Sequence, residues 1–352
     1  MFFIVYTIHA LNMKYQQEIN LKNHSGMYIG GVGKYSTFLK SEEEILDIVF
    51  FAKENKLKTW IIGDGTNTIF SENIENVFFV INKIKEIETI QEDENSILIE
   101  VGAGENWDSF VEYSIKNNYS GIEALSFIPG TVGATPIQNV GAYGVEVKDV
   151  IDSVRVFDKE KEKFHWMKNK DCEFEYRNSI FKKNPDAFIV TKVRFILSKK
   201  EPSIPNYPDI QNYFDNGSIE FATLKEIRDA IISTRKAKLL DYKEVPNCGS
   251  FFANPIVNEV ELKKLKEMYP DIKEFQQQDN KFKISAGWLI DKAGLKGKSF
   301  GDIYISEKHA LILCNPERKA SFDNIEKAEK EIKETIKEMF GVDLLREPVI
   351  CE

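Results

Sequence analysis

The sequence is short of the residues that build metal centres and disulfide frameworks. It has four cysteines (Cys172, Cys248, Cys314, Cys351) and four histidines (His9, His24, His165, His309) in 352 residues, with no CxxC pair and no histidine at ligand spacing. That excludes the usual structural zinc patterns and a secreted disulfide scaffold; no metal is expected, and the four thiols are read as free in a reducing compartment. Basic residues are also in deficit: 47 Lys and Arg face 56 Asp and Glu, for a net charge of -9. A surface built to coat nucleic acid needs the opposite balance, so no nucleic-acid partner is expected. No run approaches the roughly 18 apolar residues that a membrane helix requires, which leaves no membrane partner and a cytoplasmic protein as the expectation. The opening MFFIVYTIHALNM lacks a basic n-region and a small-residue cleavage site. It reads as a strand, or as a start codon placed early with translation beginning at Met13.

What is present describes an ordered chain: 42% apolar and 12% aromatic residues, and a length that exceeds one ordinary core and predicts two or three domains. SEEEILDIVFFAKENKL, from Ser41, reads as an N-capped amphipathic helix, followed by the strand KTWII and a tight turn. Residues 77–104 alternate in short runs, as in a meander. WDSFVEYSIKNNYSG reads as a helix, VIDSVRVFD and AFIVTKVRFILS as strands, and EPSIPNYPDIQNYF as an ordered excursion or linker. ATLKEIRDAIISTRKAK, VELKKLKEMYP, KISAGWLIDKAGLKG and SFDNIEKAEKEIKETIKEMFGV read as helices, the last ending at Gly341, with HALILCN and LLREPVI as strands. The fold class is mixed α+β, with a helix-rich region after about residue 216.

Five motifs carry chemistry. In IIGDGTN (61–67) a strand runs into Gly63 and Gly65, where consecutive backbone N–H groups can face a pyrophosphate, with Thr66 and Asn67 adding side-chain donors. It does not open a helix as GxGxxG does, and alone it fits a plain strand-ending turn better. IPGTVGATPIQNVGAYG (128–144) has four glycines and no charge in 17 residues, a poor composition for a solvated loop and a good one for close approach to a flat or phosphorylated ligand. EYRNSIFK presents Arg177 between an aromatic and an amide, able to fork a carboxylate or phosphate or to make a surface ion pair. NCGSFFANP holds Ser250 after a glycine but outside any GxSxG context, so a positioned proton donor fits better than a nucleophile. REPVI sets Glu347 beside an apolar terminal run, and STRKAKLLD sets Arg235 and Lys238 three apart on one helix face.

In this order, with VGAGENW and SAGWLID between them, these motifs resemble the UDP-N-acetylenolpyruvoylglucosamine reductase family from about Trp60 to Pro348. The long glycine loop is the most specific match. The resemblance implies an FAD- and NADPH-dependent oxidoreductase that makes UDP-N-acetylmuramate for peptidoglycan, and a two-part FAD-binding module of the vanillyl-alcohol-oxidase kind with a C-terminal α+β substrate domain. The implied division is 1–85 with a returning strand at 341–352, then 86–215, then 216–340 for substrate, in an expected monomer. Hydride would pass from the flavin to C3 of the substrate, and Ser250 would protonate C2. Arg177 would orient the substrate carboxylate with Glu347, the latter as a protonated or shared-proton partner. FAD would lie against Gly63, Gly65, Thr66 and Asn67 and against Pro129, Gly130, Gly133, Thr135, Gln138, Asn139, Gly141, Tyr143 and Gly144. Tyr207, Arg235, Lys238 and Asn254 would hold the substrate. The match departs at NHSGMYIGGVGKYS, which leaves His24 and its neighbours unassigned, and at Ala253, where many relatives carry lysine. A flavin oxidoreductase acting on another substrate, or a non-catalytic homologue binding FAD or a UDP-sugar, are the competing readings.

Overall fold

The computed structural model describes residues 15–215, 222–277 and 279–352; the expected N-terminal strand and the alternative start at Met13 lie outside them. The chain divides into two compact units: Met1–Ile19, Gly33–Asp64 and Glu75–Ala237 form the first, and Asn20–Val32, Gly65–Ile74 and Lys238–Glu352 form the second.

Besides a small two-stranded sheet, Gly141–Ala142 with Val145–Glu146, the first unit contains two large ones. One orders the strands Gln16–Asn20, Val32–Leu39, Val77–Asn82 and Lys58–Ile62 side by side, with Val77–Asn82 parallel to both neighbours. Parallel strands need a covering crossover, and the helix Ile45–Glu54 supplies it. The helix starts where the serine predicts: Ser41 and Glu44 form a capping box ahead of it. All six residues of Val77–Asn82 are buried, as a central parallel strand covered on both faces requires. The second sheet is antiparallel, in the order Lys163–Lys168, Ile151–Asp158, Phe188–Ser198, Ser96–Gly102, Ile87–Glu92. The helix Trp107–Lys116 packs on it through Trp107 and Phe110, and the indole N–H of Trp107 donates to the Leu125 carbonyl at 3.0 Å.

Differences from the sequence reading fall in this unit. Residues 77–104 are not one meander, because the continuous apolar run Val77–Asn82 is buried at the centre of the parallel sheet and only Ile87–Glu92 and Ser96–Gly102 pair as antiparallel neighbours. The strand Lys163–Lys168 was not anticipated, because KFHWMK has no clean alternation. The segment EPSIPNYPDIQNYF, expected as an ordered excursion or linker, contains the helix Pro208–Asp215, where proline occupies the first helical position and needs no N–H partner. Its Ile210 and Phe214 pack with Ile227, Ala230 and Ile231 of the helix Leu224–Lys238.

The second unit is built round the helix Phe322–Phe340, which ends at Gly341 in the left-handed conformation (φ 70°) as expected. Against it lie a four-stranded sheet ordered Asn247–Ser250, Ile312–Cys314, Ile303–Ile305, Ser299–Phe300 and a three-stranded sheet ordered Ile256–Asn258, Lys281–Ile284, Glu274–Gln276. KISAGWLIDKAGLKG is thus a strand followed by the helix Ala286–Lys292 rather than one helix. The closing strand Val349–Cys351 pairs in parallel with Thr68–Phe70.

All four cysteines are free and buried. Burial pushes the thiols up, that of Cys172 to about 12 and that of Cys314 to about 11. Ellman's reagent at pH 8 is expected to titrate four thiols in denaturant and fewer than one in the native protein within minutes. A second outcome follows from Gly65, whose φ is 68° and where an added Cβ would stand 1.7 Å from the His24 carbonyl oxygen. Gly65→Ala is expected to cost about 2–4 kcal/mol. Gly144→Ala, at φ 85° with nothing within 4 Å, should cost only the backbone penalty of about 1–2 kcal/mol; guanidinium midpoints compare the two.

Candidate active site

In the first unit the strand Lys58–Ile62 delivers Gly63 against the glycine loop: a Cβ there would meet Thr131 Oγ1 at 2.5 Å. The loop is anchored from below. The N–H of Trp107 donates to the Gly130 carbonyl at 3.0 Å, Val132 donates to Glu105 at 2.9 Å and Gly133 to Ala103 at 2.9 Å. Gly133 comes so close to Ala103 that a Cβ would lie 2.5 Å from the alanine Cβ; this glycine serves packing within the protein. The Thr135 hydroxyl donates to the Val132 carbonyl at 2.8 Å. Asn139 is fully buried in the left-handed conformation at φ 49°, and its side chain is bonded internally to Glu146 and Glu175. Gly130 and Gly144 take φ 127° and 85°, angles at which a glycine is needed.

The residues Phe127 to Val145 contain no charged side chain. Neutral donors on a glycine-rich backbone suit a ligand that combines a diphosphate with a flat ring, so the cradle fits FAD.

Arg177 lies in the same unit. It sits in a turn closed by the Glu175–Asn178 bridge with φ 55°. Its Nη2 donates to the Gly141 carbonyl at 3.0 Å, and the guanidinium stands 5.2 Å from the Tyr176 ring centroid. Tyr143 and Tyr207 meet edge to face at 5.2 Å. Arg235, half-buried, donates through Nε to the Phe127 carbonyl at 3.3 Å. Burial raises the Tyr143 hydroxyl above its ordinary range, with Arg235 opposing the rise. The structure therefore groups Tyr143, Tyr207 and Arg235. The helix bearing Arg235 is moored by Arg228, whose fork takes both oxygens of Asp108 at 2.7 and 2.9 Å.

In the second unit, Gly65, Thr66 and Asn67 turn against a segment that the sequence left unassigned. Gly26 donates to the Gly65 carbonyl at 3.0 Å, and the Ser25 hydroxyl donates to the Thr68 carbonyl at 3.0 Å. A Cβ at Gly26 would come within 2.7 Å of the Asn247 carbonyl and 3.2 Å of Thr66 Cα. HSG and GDGT are thus interlocked, and the two small residues of HSG were the only signal of it.

Ser250 is placed by a bulge. The strand Asn247–Ser250 pairs with Ile312–Cys314 with a register shift between Asn247 and Ser250, and Gly249 takes φ 70°. Such a bulge re-aims the side chain that follows it. Buried Asn247 holds it: its Oδ1 accepts from the Gly249 N–H at 2.9 Å and its Nδ2 donates to the Val245 carbonyl at 2.8 Å. On the other side the Glu347 N–H donates to the Phe251 carbonyl at 2.9 Å, and Ala253 donates to Leu345 at 2.9 Å. Ser250 and Glu347 are thereby brought onto adjoining backbone, half-exposed beside buried Phe251 and Phe252. Arg346 points elsewhere, to buried Glu329 at 2.7 Å. The Cys248 thiol, raised first by burial, is raised further by the Glu347 carboxylate, which places that charge near the same strand.

Asn254 accepts from the Ala286 N–H at 2.9 Å, tying NCGSFFANP to the start of the helix Ala286–Lys292. Lys238 ends its helix beside His309. Burial first, then Lys238 and Lys296, lowers the His309 pKa, so the imidazole is neutral at neutral pH. Its Nδ1 accepts from the Leu311 N–H at 3.3 Å, leaving the proton on Nε2. Sequence reasoning had set His309 aside for want of a triad. Two lysines beside a neutral donor make a patch suited to an anion.

Comparison with known proteins agrees with both units. Residues 34–167 match the FAD binding domain model, and residues 240–351 match the model of the UDP-N-acetylenolpyruvoylglucosamine reductase C-terminal domain. The UDP-N-acetylenolpyruvoylglucosamine reductase of Flavobacterium johnsoniae is 38% identical over 94% of this chain and 98% of its own length. That of Pseudomonas aeruginosa is 33% identical over 96% and 99%. Among solved structures, UDP-N-acetylenolpyruvylglucosamine reductase from Thermus caldophilus aligns with a TM-score of 0.67 at 21% identity, over 97% of this chain and all of the other. p-Cresol methylhydroxylase aligns at 0.50 with 15% identity, over 94% and 84%. These two show the expected fold class, an α+β flavoprotein module with a further α+β domain. With that architecture and those two relatives over nearly the whole length, the chain belongs to the UDP-N-acetylenolpyruvoylglucosamine reductase family of oxidoreductases.

Proposed function

We propose that this protein reduces UDP-N-acetylenolpyruvoylglucosamine to UDP-N-acetylmuramate, with FAD as cofactor and NADPH as reductant, to supply peptidoglycan precursor in the cytoplasm. The working form is a monomer. Residues 1–85 and 86–215, with the closing strand, form the FAD-binding parts, and residues 216–340 the substrate part. The observation that supports the reading is the hydrogen bond from the Glu347 N–H to the Phe251 carbonyl, which joins the backbone of Glu347 to the residue that follows Ser250 at a bulged strand end.

The chemistry supplied by bound FAD is delivery of a hydride, drawn from NADPH, to C3 of the enolpyruvyl double bond. The cradle for it would be the turn 63–67 together with the loop 128–144, with Gly130, Gly141 and Gly144 allowing close approach and Gln138, Thr131 and Tyr143 offering neutral contacts. Addition at C3 leaves negative charge at C2, delocalised into the adjacent carboxylate. Arg177 provides a fixed positive group for that carboxylate; its guanidinium is already oriented by the Gly141 carbonyl, so little reorganisation accompanies charge development. Glu347, when protonated, donates to the developing enolate. Ser250 then passes its hydroxyl proton to C2, a transfer that depends on position and needs no attached base. Its glycine-preceded bulge and the two buried phenylalanines that follow would fix the position of the hydroxyl.

At the nucleotide end Lys238 and Asn254 would hold the diphosphate, and His309 and Lys296 extend the same basic patch. Arg235, restrained by Phe127 and Tyr143, would bear on the substrate beside Tyr207, whose ring closes against Tyr143.

In anaerobic stopped-flow, Ser250→Ala is expected to take electrons from NADPH at a near-normal rate, to bind substrate as tightly as the parent, and to be reoxidised by it at least about a hundredfold more slowly, the scale for losing one preorganised donor. Glu347→Gln should show the same split. Both half-reactions unchanged in Ser250→Ala would remove Ser250 from the reaction.

A further inference from the structure

Asn139 does more than shape a loop. At φ 49° it occupies a conformation that asparagine tolerates better than most residues, and it is fully buried. Every polar group of its amide has a partner. Nδ2 donates to Glu146 Oε2 at 2.9 Å and to the Glu175 carbonyl at 3.1 Å. Oδ1 accepts from the Lys148 N–H at 3.1 Å.

These bonds close a ring through Arg177. Two residues after Asn139, the Gly141 carbonyl accepts from Arg177 Nη2. Two residues before Arg177, the Glu175 carbonyl accepts from Asn139. The main chain from 139 to 141, the arginine side chain, the main chain from 177 back to 175 and the Asn139 amide therefore form one continuous circuit. The other arm reaches Glu146, whose strand Val145–Glu146 pairs with Gly141–Ala142 and holds the Gly141 carbonyl in place. Two of the attachments that hold the arginine, its turn and its carbonyl partner, are thus tied by one buried amide.

Only an asparagine meets the demand. The site needs two donated hydrogens and one acceptor at that reach. An aspartate there would face the Glu146 carboxylate and a carbonyl with no hydrogen to give, and glutamine would be one methylene too long. Arg177 itself is held at φ 55°, a left-handed conformation that persists in a non-glycine residue only where its surroundings over-determine it.

We propose that Asn139 is a positioning residue for Arg177, acting on the substrate half-reaction through the arginine and making no side-chain contact with the cofactor. The inference rests on the reading that Arg177 orients the substrate carboxylate, and a double-mutant cycle separates the two. Asn139→Gly removes the amide while keeping the left-handed backbone. In the FAD-loaded, NADPH-reduced protein it should slow reoxidation by substrate at least about tenfold, with flavin reduction and the dissociation constant for FAD unchanged. Adding Asn139→Gly to Arg177→Ala should slow reoxidation no further than Arg177→Ala does alone. Asn139→Asp, which keeps the acceptor for Lys148, gives the same comparison should the glycine variant fail to fold, and is expected to be as slow at pH 8. Reoxidation at the parent rate in either variant, equal slowing with and without Arg177, or loss of FAD in step with loss of rate would overturn the proposal. Unimpaired reoxidation in Arg177→Ala would instead remove the reading it rests on.

Discussion

A left-handed turn in a non-glycine residue survives only when the residues around it leave it no alternative, and buried asparagines hold left-handed backbone beside the proposed site residues in both units. Asn139 ties the turn of Arg177 to the carbonyl that orients its guanidinium. Asn247 bonds across the bulge that precedes Ser250, which rejoins the ladder opposite Ile312. In each case a short amide satisfies main-chain groups that would otherwise be buried without partners, at a cost of about 1–3 kcal/mol apiece. The left-handed backbone at Arg177 and Gly249 is therefore held by side chains that are themselves buried.

The glycines divide into two kinds. Gly63, Gly65 and Gly133 are required because protein backbone or side chains press on them, at Thr131, His24 and Ala103 respectively. Gly144 is pressed by nothing and owes its place to conformation and to the open side of the loop. A long uncharged loop stitched to the rest of its unit through Trp107, Glu105 and Ala103 can present a rigid polar backbone to a ligand without bringing a charge of its own. That property suits a flavin, whose diphosphate and ring system ask for oriented amides more than for counter-ions.

Much of this was legible before any coordinates. The Ser41 capping box and the Gly341 stop are local signals, and each formed the element that its pattern called for; the buried run VFFVIN, read as part of a meander, went instead to the centre of a parallel sheet. The strand Lys163–Lys168 was not legible, since its burial is settled by the neighbour Ile151–Asp158 and not by its own alternation. Neither was the division of the chain, in which Asn20–Val32 and Gly65–Ile74 join the last third; parallel pairing of Val349–Cys351 with Thr68–Phe70 spans some 280 residues and leaves no local trace. Ser250, Arg177 and Glu347 were singled out from the family motifs, and residue chemistry alone had left each of them open. The roles of Asn139 and Asn247 lie in which carbonyl each amide reaches, and that is a matter of folded geometry.

The account stands on one reaction, so the most direct measurement is made on the unmodified protein without oxygen. The purified chain should show the absorbance bands of bound flavin, lose them on addition of one equivalent of NADPH, and regain them promptly on addition of UDP-N-acetylenolpyruvoylglucosamine, with UDP-N-acetylmuramate as product. A yellow protein that NADPH bleaches and that stays bleached in the presence of this substrate would contradict the proposed activity, and a chain that takes up no FAD would contradict the cradle as well.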